Sequence, residues 1–359
     1  MNIGLILAGL KLLNRLNWIG RLMTDKNNPS LLEIQKILIC GLGSIGKRHL
    51  RVLNQNWPGI DIAVLRSGYG LECQELMLAD QVFTSLSDAL AWKPDGAIIA
   101  TPASKHLAIA LPLVRQRIPI LIEKPVGDGT ESLSDWEELA NLSQITPIEV
   151  GYVLRHDPCT SFVKEMLQEG RLGKLVEADF YCGSWLPDWR EGQDYRHSVS
   201  AKRELGGGVL LELSHELDLA QYLVGPLDLH SAVLHCSGLL DVDVEDQAVL
   251  VASTKCGCLI SIRLNFCTGP ARRHVLLRGS KGQICWDLIA GSVLTSTFGT
   301  SDIFSFQSPM GSEERYRVQL DHFLLCATGR AQPMCSIFDG LKILTIATKA
   351  RKINSKRDI

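Results

Sequence analysis

Three stretches of the chain carry groups that could handle a proton or an anion. In Glu123-Lys124-Pro125 a carboxylate and an ammonium follow an apolar run over residues 118–122. Charged side chains are rarely set at the end of a buried strand without a partner. Lys124 could polarise a carbonyl or hydroxyl oxygen, while the plainer reading is a structural Lys–Glu pair. In Gly206-Gly-Gly-Val-Leu-Leu-Glu212-Leu-Ser-His215-Glu-Leu-Asp218, the pairs Glu212/His215 and His215/Asp218 are each three apart. On a helix that spacing puts them on one face. Flanking carboxylates hold a histidine in one tautomer and keep it basic, as a general base requires, although a satisfied helical histidine fits the same pattern. Gly41-x-Gly43-x-x-Gly46, enclosing Ser44 and Ile45, follows the apolar run 37–40 and opens a helix-like segment. Gly41 permits a tight turn, Gly43 lets the backbone approach a pyrophosphate, and Gly46 lets helix and strand pack closely. The pyrophosphate of a dinucleotide would then sit on unpaired N–H groups at the helix N-terminus.

Other residues fit the same ligand. Arg66 and Ser67 lie about 20 residues past the glycine loop, where an acid often binds the adenosine ribose. An arginine and a hydroxyl suit a 2′-phosphate, so NADP is favoured over NAD; the alternative is a solvated strand end. Thr101-Pro102 and His106 leave another strand at its carboxyl end, where ligands bind in open α/β sheets.

The elements that must position these groups alternate through the first half. Strands are expected at 37–40, 61–65, 96–100, 118–122 and 148–152, and helices at 47–53, 86–92, 105–116 and 134–142. This rhythm predicts βαβ units and a doubly wound parallel sheet over 36–150. From 151 to 359 the rhythm changes. Helices are expected at 161–169, 208–223, 316–328 and 336–351, and strands at 177–183, 229–236, 247–253, 258–266, 274–279, 282–287 and 292–296. Strands in succession predict an α+β domain on a mostly antiparallel open sheet, its last helix packing back on the first domain.

Composition excludes several classes. The 359 residues are 46% hydrophobic and 21% charged, with a net charge of −2, so neither nucleic acid nor an anionic membrane is expected as partner. Eleven scattered cysteines without a C-x-x-C fit a reducing cytoplasm and suggest no zinc site. Residues 1–35 form an extension. Within it Lys11, Arg15 and Arg21 interrupt the apolar stretch, so no run reaches the ~20 residues of a membrane span. An amphipathic helix fits the spacing of Ile3, Ile6, Leu7, Leu10, Leu13 and Leu16, a start at Met23 is the blander reading, and a non-functional extension is expected.

Taken in order, Gly41-x-Gly43-x-x-Gly46, Glu123-Lys124-Pro125, Val150-Gly-Tyr-Val-Leu-Arg155 and Gly206-Gly-Gly…His215-x-x-Asp218 resemble the Gfo/Idh/MocA oxidoreductases from about residue 36 onward. The resemblance implies a Rossmann domain and an α+β domain whose sheet forms a homodimer or homotetramer interface. It also implies nicotinamide-dependent oxidation or reduction of a sugar or cyclitol, with Lys124 as active-site lysine and His215 as helix histidine. Many members carry an acid four residues before the histidine. Here that position is Leu211, and Glu212 stands one residue closer. In the loop from 183 to 204, Trp185 and Trp189 could stack on a sugar ring, with Tyr195 beside them. Arg155, Arg196, Arg203 and Asp218 could hold polar or acidic groups of a nucleotide or acidic sugar. The bland alternative is that these residues pack and decorate the loop. A catalytically silent dinucleotide- or sugar-binding regulator is the rival function.

Overall fold

The computed structural model describes residues 33–68, 73–301 and 303–355, so the expectations for residues 1–32 fall outside it. Lys36-Ile-Leu-Ile-Cys40 forms β1, and its alternate side chains point into two different cores. Around it lie β2 (Asp61–Leu65), β3 (Gln81–Phe83), β4 (Gly96–Ile99), β5 (Ile120–Ile122) and β6 (Ile148–Val150), all paired in parallel in the order β3-β2-β1-β4-β5-β6. The order reverses between β1 and β4, and a crevice outside the carboxyl ends of strands at such a point binds ligands in open α/β sheets. Gly41, Arg66, Thr101 and Glu123 all follow strands at that edge. Helices α1 (Ser44–Asn56), α2 (Leu86–Ala91), α3 (His106–Arg115) and α4 (Leu133–Leu142) connect the strands.

After β6 the chain enters α5 (Pro158–Gln168). The carboxylate of Asp157 accepts the Cys159 N–H at 2.7 Å and Pro158 fills the first turn, so the helix starts three residues before its expected position. The second sheet holds β7 (Leu175–Trp185), β8 (Asp228–His235), β9 (Gln247–Ser253), β10 (Leu259–Asn265), β11 (Cys267–Gly279), β12 (Gly282–Asp287), β13 (Ser292–Thr297) and β14 (Ile303–Gln307). Its order is β14-β13-β12-β11-β7-β10-β9-β8, antiparallel except for the β7–β10 pair. In β9 and β10 every second residue is buried, as expected of a sheet with one covered face.

Three departures have physical causes. Short edge strands β3 and β14 were not expected; neither contains a fully buried residue, and β14 reaches the core only through Phe304 and Phe306. β11 begins at Cys267 rather than 274, because Gly269-Pro270 and a register break between Cys267 and Arg272 disguise its first half. The helix expected over 208–223 is two: α6 (Val209–Glu212) and α7 (His215–Val224). Chain closure is by α8 (Ser312–Ala327) and α9 (Ile337–Ser355). Of these, α8 places Leu320, Phe323 and Leu324 in the core formed by β1, β2 and α1, while α9 lies along β8 and brings Gly340 against Val126 and Val150. Among the described residues no helix is long and apolar enough to cross a membrane.

Candidate active site

The glycine loop is built as its spacing suggests. Gly41 has φ +95°, and a Cβ there would stand 2.8 Å from the Ala100 carbonyl oxygen. A Cβ on Gly46 would come within 2.1 Å of the Gly41 oxygen, so only glycine lets α1 lie this close to the loop. Gly43 faces open space. Helix α1 has neither a side-chain cap nor an acid in its first turn, which leaves its first N–H groups for an anion. Nearby, Thr101 Oγ1 is buried without a partner. An open glycine, an uncapped helix and an unsatisfied hydroxyl at the strand switch point fit a dinucleotide. Ser44 and Ser67 are exposed, Ile45, Arg66 and Pro102 partly so, and the Arg66 N–H ties β2 to Phe83.

Two residues expected at the dinucleotide belong instead to the scaffold. The carboxylate of Glu123 faces His49 Nε2 of α1 at 2.7 Å and accepts the Lys124 N–H, and both side chains are buried. His106 sets its ring nitrogens against the carbonyls of Pro125 (3.0 Å) and Thr101 (2.8 Å), clamping together the loops that follow β4 and β5. Burial lowers its pKa.

Lys124 crosses to the second domain. Its ammonium donates to the Glu212 backbone oxygen at 2.8 Å and lies 3.8 Å from Glu212 Oε2. The break between α6 and α7 makes this possible. In a continuous helix the Glu216 N–H would take the Glu212 carbonyl, but it bonds Leu213 instead. Gly206, at φ +81°, sits where a Cβ would be 3.1 Å from both Ala103 and Asp128. The glycine run thus seats this segment against the loops that follow β4 and β5.

His215 opens α7 and meets the edge of Tyr152 at 5.7 Å, while the Tyr152 hydroxyl donates to Ser214 at 3.3 Å. Its Nδ1 is buried with no partner. Burial, followed by the charges of Lys124 and Arg273, pushes its pKa well below the usual histidine value. The ring is therefore neutral near pH 7, and the flanking carboxylates expected to keep it basic do not do so: Glu212 ends α6 before the helix break and Asp218 is turned onto Arg155.

Arg273, on the disguised half of β11, was missed by sequence reasoning. Its Nε donates to the buried Glu216; burial raises the Glu216 pKa despite that pairing, while the neighbouring Glu216 and Cys182 raise the Arg273 pKa despite burial. One guanidinium nitrogen, Nη2, is buried and unpartnered. The motif Gly206 to Asp218 contains Glu216, but nothing local links it to position 273.

The other expected substrate groups are otherwise engaged. Arg155 and Asp218 are buried and face each other at 2.7–3.2 Å, and Arg155 also donates to the Met334 carbonyl and to Asp339. The geometry places this pair as an internal brace rather than a substrate contact. Trp189 donates its indole N–H to Ser184 and packs edge-on against Phe266, and Trp185 and Tyr195 are half-buried against the main core. The Tyr195 hydroxyl accepts the Asp241 N–H. Exposed Arg196 is matched by the Asp194 carboxylate, while exposed Arg203 donates its guanidinium to the Asp243 backbone carbonyl and its backbone N–H to the Asp243 carboxylate. What converges is Lys124, Glu212, His215, Tyr152 and Arg273.

Residues 35–148 match the family described as "Oxidoreductase family, NAD-binding Rossmann fold", and residues 161–285 match "GFO/IDH/MocA C-terminal domain". Inositol 2-dehydrogenase 2 of Saccharopolyspora erythraea is 25% identical over 237 residues, which is 63% of this chain and 65% of that protein. In fold, the chain is similar to levoglucosan dehydrogenase in complex with NADH and levoglucosan, with TM-score 0.77 and 17% identity over 90% of this chain and 97% of that one. It is also similar to the WlbA dehydrogenase of Bordetella pertussis in complex with NADH and UDP-GlcNAcA, with TM-score 0.73, 20% identity and the same two coverages.

Proposed function

The chain belongs to the GFO/IDH/MocA oxidoreductases, and from that premise we propose that it oxidises or reduces a carbinol carbon of a sugar or cyclitol with a nicotinamide dinucleotide. Bound at the glycine loop, the dinucleotide would supply the hydride acceptor or donor; the protein contributes orientation and electrostatics. His215, neutral near pH 7, takes the hydroxyl proton during oxidation and returns it during reduction. Lys124 donates to the same oxygen and steadies the charge that develops there. The observation that carries this reading is the reach of the first-domain Lys124 ammonium to the Glu212 carbonyl at the α6–α7 break, near enough for its charge to lower the pKa of the buried His215.

The substrate reading follows from which polar atoms lack partners. His215 Nδ1 and Arg273 Nη2 are buried and unsatisfied, and each such group costs about 1–3 kcal/mol until a ligand oxygen meets it. Arg196 is already paired with the Asp194 carboxylate and the Arg203 guanidinium is turned onto the Asp243 backbone carbonyl, which favours a neutral polyol over a nucleotide or acidic sugar. The relative named for inositol supports the same class. For the cofactor, Arg66 and Ser67 support NADP, whereas the family description names NAD. The eleven free cysteines support a reducing cytoplasm, and exposed apolar residues on the second sheet, Val249, Leu259 and Leu294 among them, support a homo-oligomer.

Initial rates with inositol, levoglucosan and UDP-N-acetylglucosamine, each with NAD and NADP, test the proposal. Turnover of a neutral polyol is expected; absence of turnover and of dinucleotide binding would overturn it. Arg66→Ala is expected to lower the ratio of NADP to NAD affinity, and an unchanged ratio removes Arg66 from the argument.

A further inference from the structure

Away from the residues assigned to the reaction, three potential metal ligands, Glu149, His156 and His322, lie together, and Cys326 stands beside one of them. Glu149 lies on edge strand β6, His156 on the turn that follows it, and His322 and Cys326 on α8. Glu149 Oε1 stands 3.3 Å from His156 Nε2 and 3.0 Å from His322 Nδ1, and the three ligand atoms lie within 4.8 Å of one another. Cys326 Sγ is 3.6 Å from the same His322 nitrogen. Zinc bonds of about 2.0–2.1 Å to nitrogen or oxygen, and about 2.3 Å to sulfur, set tetrahedral ligand edges of roughly 3.3–3.6 Å. Three of the separations are already close to that figure.

We propose that Glu149, His156, His322 and Cys326 form a structural zinc site that fastens α8 to the edge of the parallel sheet. The donor set of two imidazoles, one carboxylate and one thiolate suits zinc, and four protein ligands leave no open coordination position, as in structural rather than catalytic sites. Charge also balances. A divalent cation with one carboxylate, one thiolate and two neutral imidazoles is neutral overall, which limits the cost of burying it. Glu149 is fully buried and needs a cationic or hydrogen-bonding partner in any state.

Binding releases one proton. Zn2+ replaces the Cys326 thiol proton, which leaves to solvent. The N–H protons that His156 Nε2 and His322 Nδ1 direct at Glu149 move to the opposite ring nitrogens, freeing both lone pairs for the metal. His322 is 20% exposed, which gives the ion an entry path. On α8 the spacing His322-x-x-x-Cys326 places both donors on one face, as in the second half of many zinc motifs. The first half, Glu149 and His156, is far away in sequence, Glu149 standing 173 positions before His322. Composition and spacing alone therefore suggested no zinc site.

The test uses the full chain, stripped with a chelator and titrated with Zn2+ and separately with Co2+. One zinc per chain is expected, and the cobalt form should show tetrahedral ligand-field bands with a thiolate-to-cobalt charge-transfer band. Cys326→Ser should lose the charge-transfer band while keeping a weaker cobalt complex. His322→Asn should weaken zinc binding by about a hundredfold or more. Should His322→Asn fail to fold, the wild-type and Cys326→Ser cobalt spectra decide the matter alone. A wild-type chain that binds neither ion stoichiometrically, or a cobalt spectrum unchanged by Cys326→Ser, overturns the site. None of these readouts depends on the dehydrogenase reaction.

Discussion

Replacing Lys124 with methionine keeps the length of the side chain and removes its charge and its donor. Two consequences can be separated. The first is rate. If the ammonium bonds the reacting oxygen, its loss should lower kcat by about 100- to 1,000-fold, the effect of removing one oxyanion donor, or ~3–4 kcal/mol. Stability should change much less. Lys124 makes one hydrogen bond to a backbone oxygen, and its partner carboxylate at 3.8 Å is, like Lys124 itself, 17% exposed. An ion pair so placed is worth about 1 kcal/mol, so a folded and slow enzyme is expected. The second consequence is pH dependence. His215 must be neutral to accept a proton, so the rate of oxidation falls on the acid side through its folded pKa. Burial, then Lys124, then Arg273 hold that pKa well below 6.5 in the wild type. Removing Lys124 should move the acid limb of kcat/KM upward. It should still lie below 6.5, because burial is the largest cause and Arg273 remains. The assay is the initial rate of nicotinamide reduction across the acidic and neutral range, with thermal melts in parallel. Unchanged turnover, or an acid limb that moves down, would refute the reasoning.

Glu212→Ala should retain turnover within about tenfold in the same assay, because Lys124 bonds the backbone oxygen of residue 212, which alanine also provides. Gly46→Ala and Gly43→Ala should split cleanly. The first drives a Cβ to 2.1 Å from the Gly41 oxygen and should cost about 3 kcal/mol or more by urea unfolding. The second meets nothing within 4 Å and should leave stability alone while weakening dinucleotide binding measured by fluorescence. Asp218→Asn takes the nearest carboxylate from the buried Arg155 guanidinium, leaving it Asp339 and the Met334 carbonyl, and should cost about 3 kcal/mol of stability with little change in substrate KM; a large rise in KM without loss of stability would return the pair to the substrate site.

What could be read from the sequence was local. Strand β1 and its glycine turn lie within a dozen residues, so apolar run, turn chemistry and helix start could be recognised together. Strands β9 and β12 match their expected limits because every second side chain is buried and their ends are turns. Lys124 and His215 were legible as chemistry-bearing residues of one site, but the bond that carries Lys124 to the Glu212 carbonyl was not. It depends on a carbonyl released by the α6–α7 break, and Leu213-Ser214 gives no obvious sign of ending a helix. Arg155 and Asp218 looked like substrate groups because charge near a motif is visible in sequence, whereas their mutual burial is a property of packing. Arg273 went unnoticed for the converse reason: its strand follows Gly269-Pro270, and its partner Glu216 is 57 positions away.

Helix α8 has a bearing on how the chain matures during synthesis. Its Leu320, Phe323 and Leu324 complete the apolar layer over Ile37, Ile39, Leu50 and Ile98. A nascent polypeptide with only the parallel-sheet residues outside the ribosome still displays that layer to water, and it stays sticky until residues beyond 324 emerge. A fragment ended near residue 150 should therefore aggregate, and chaperones that mask apolar surface should hold this protein for most of its translation.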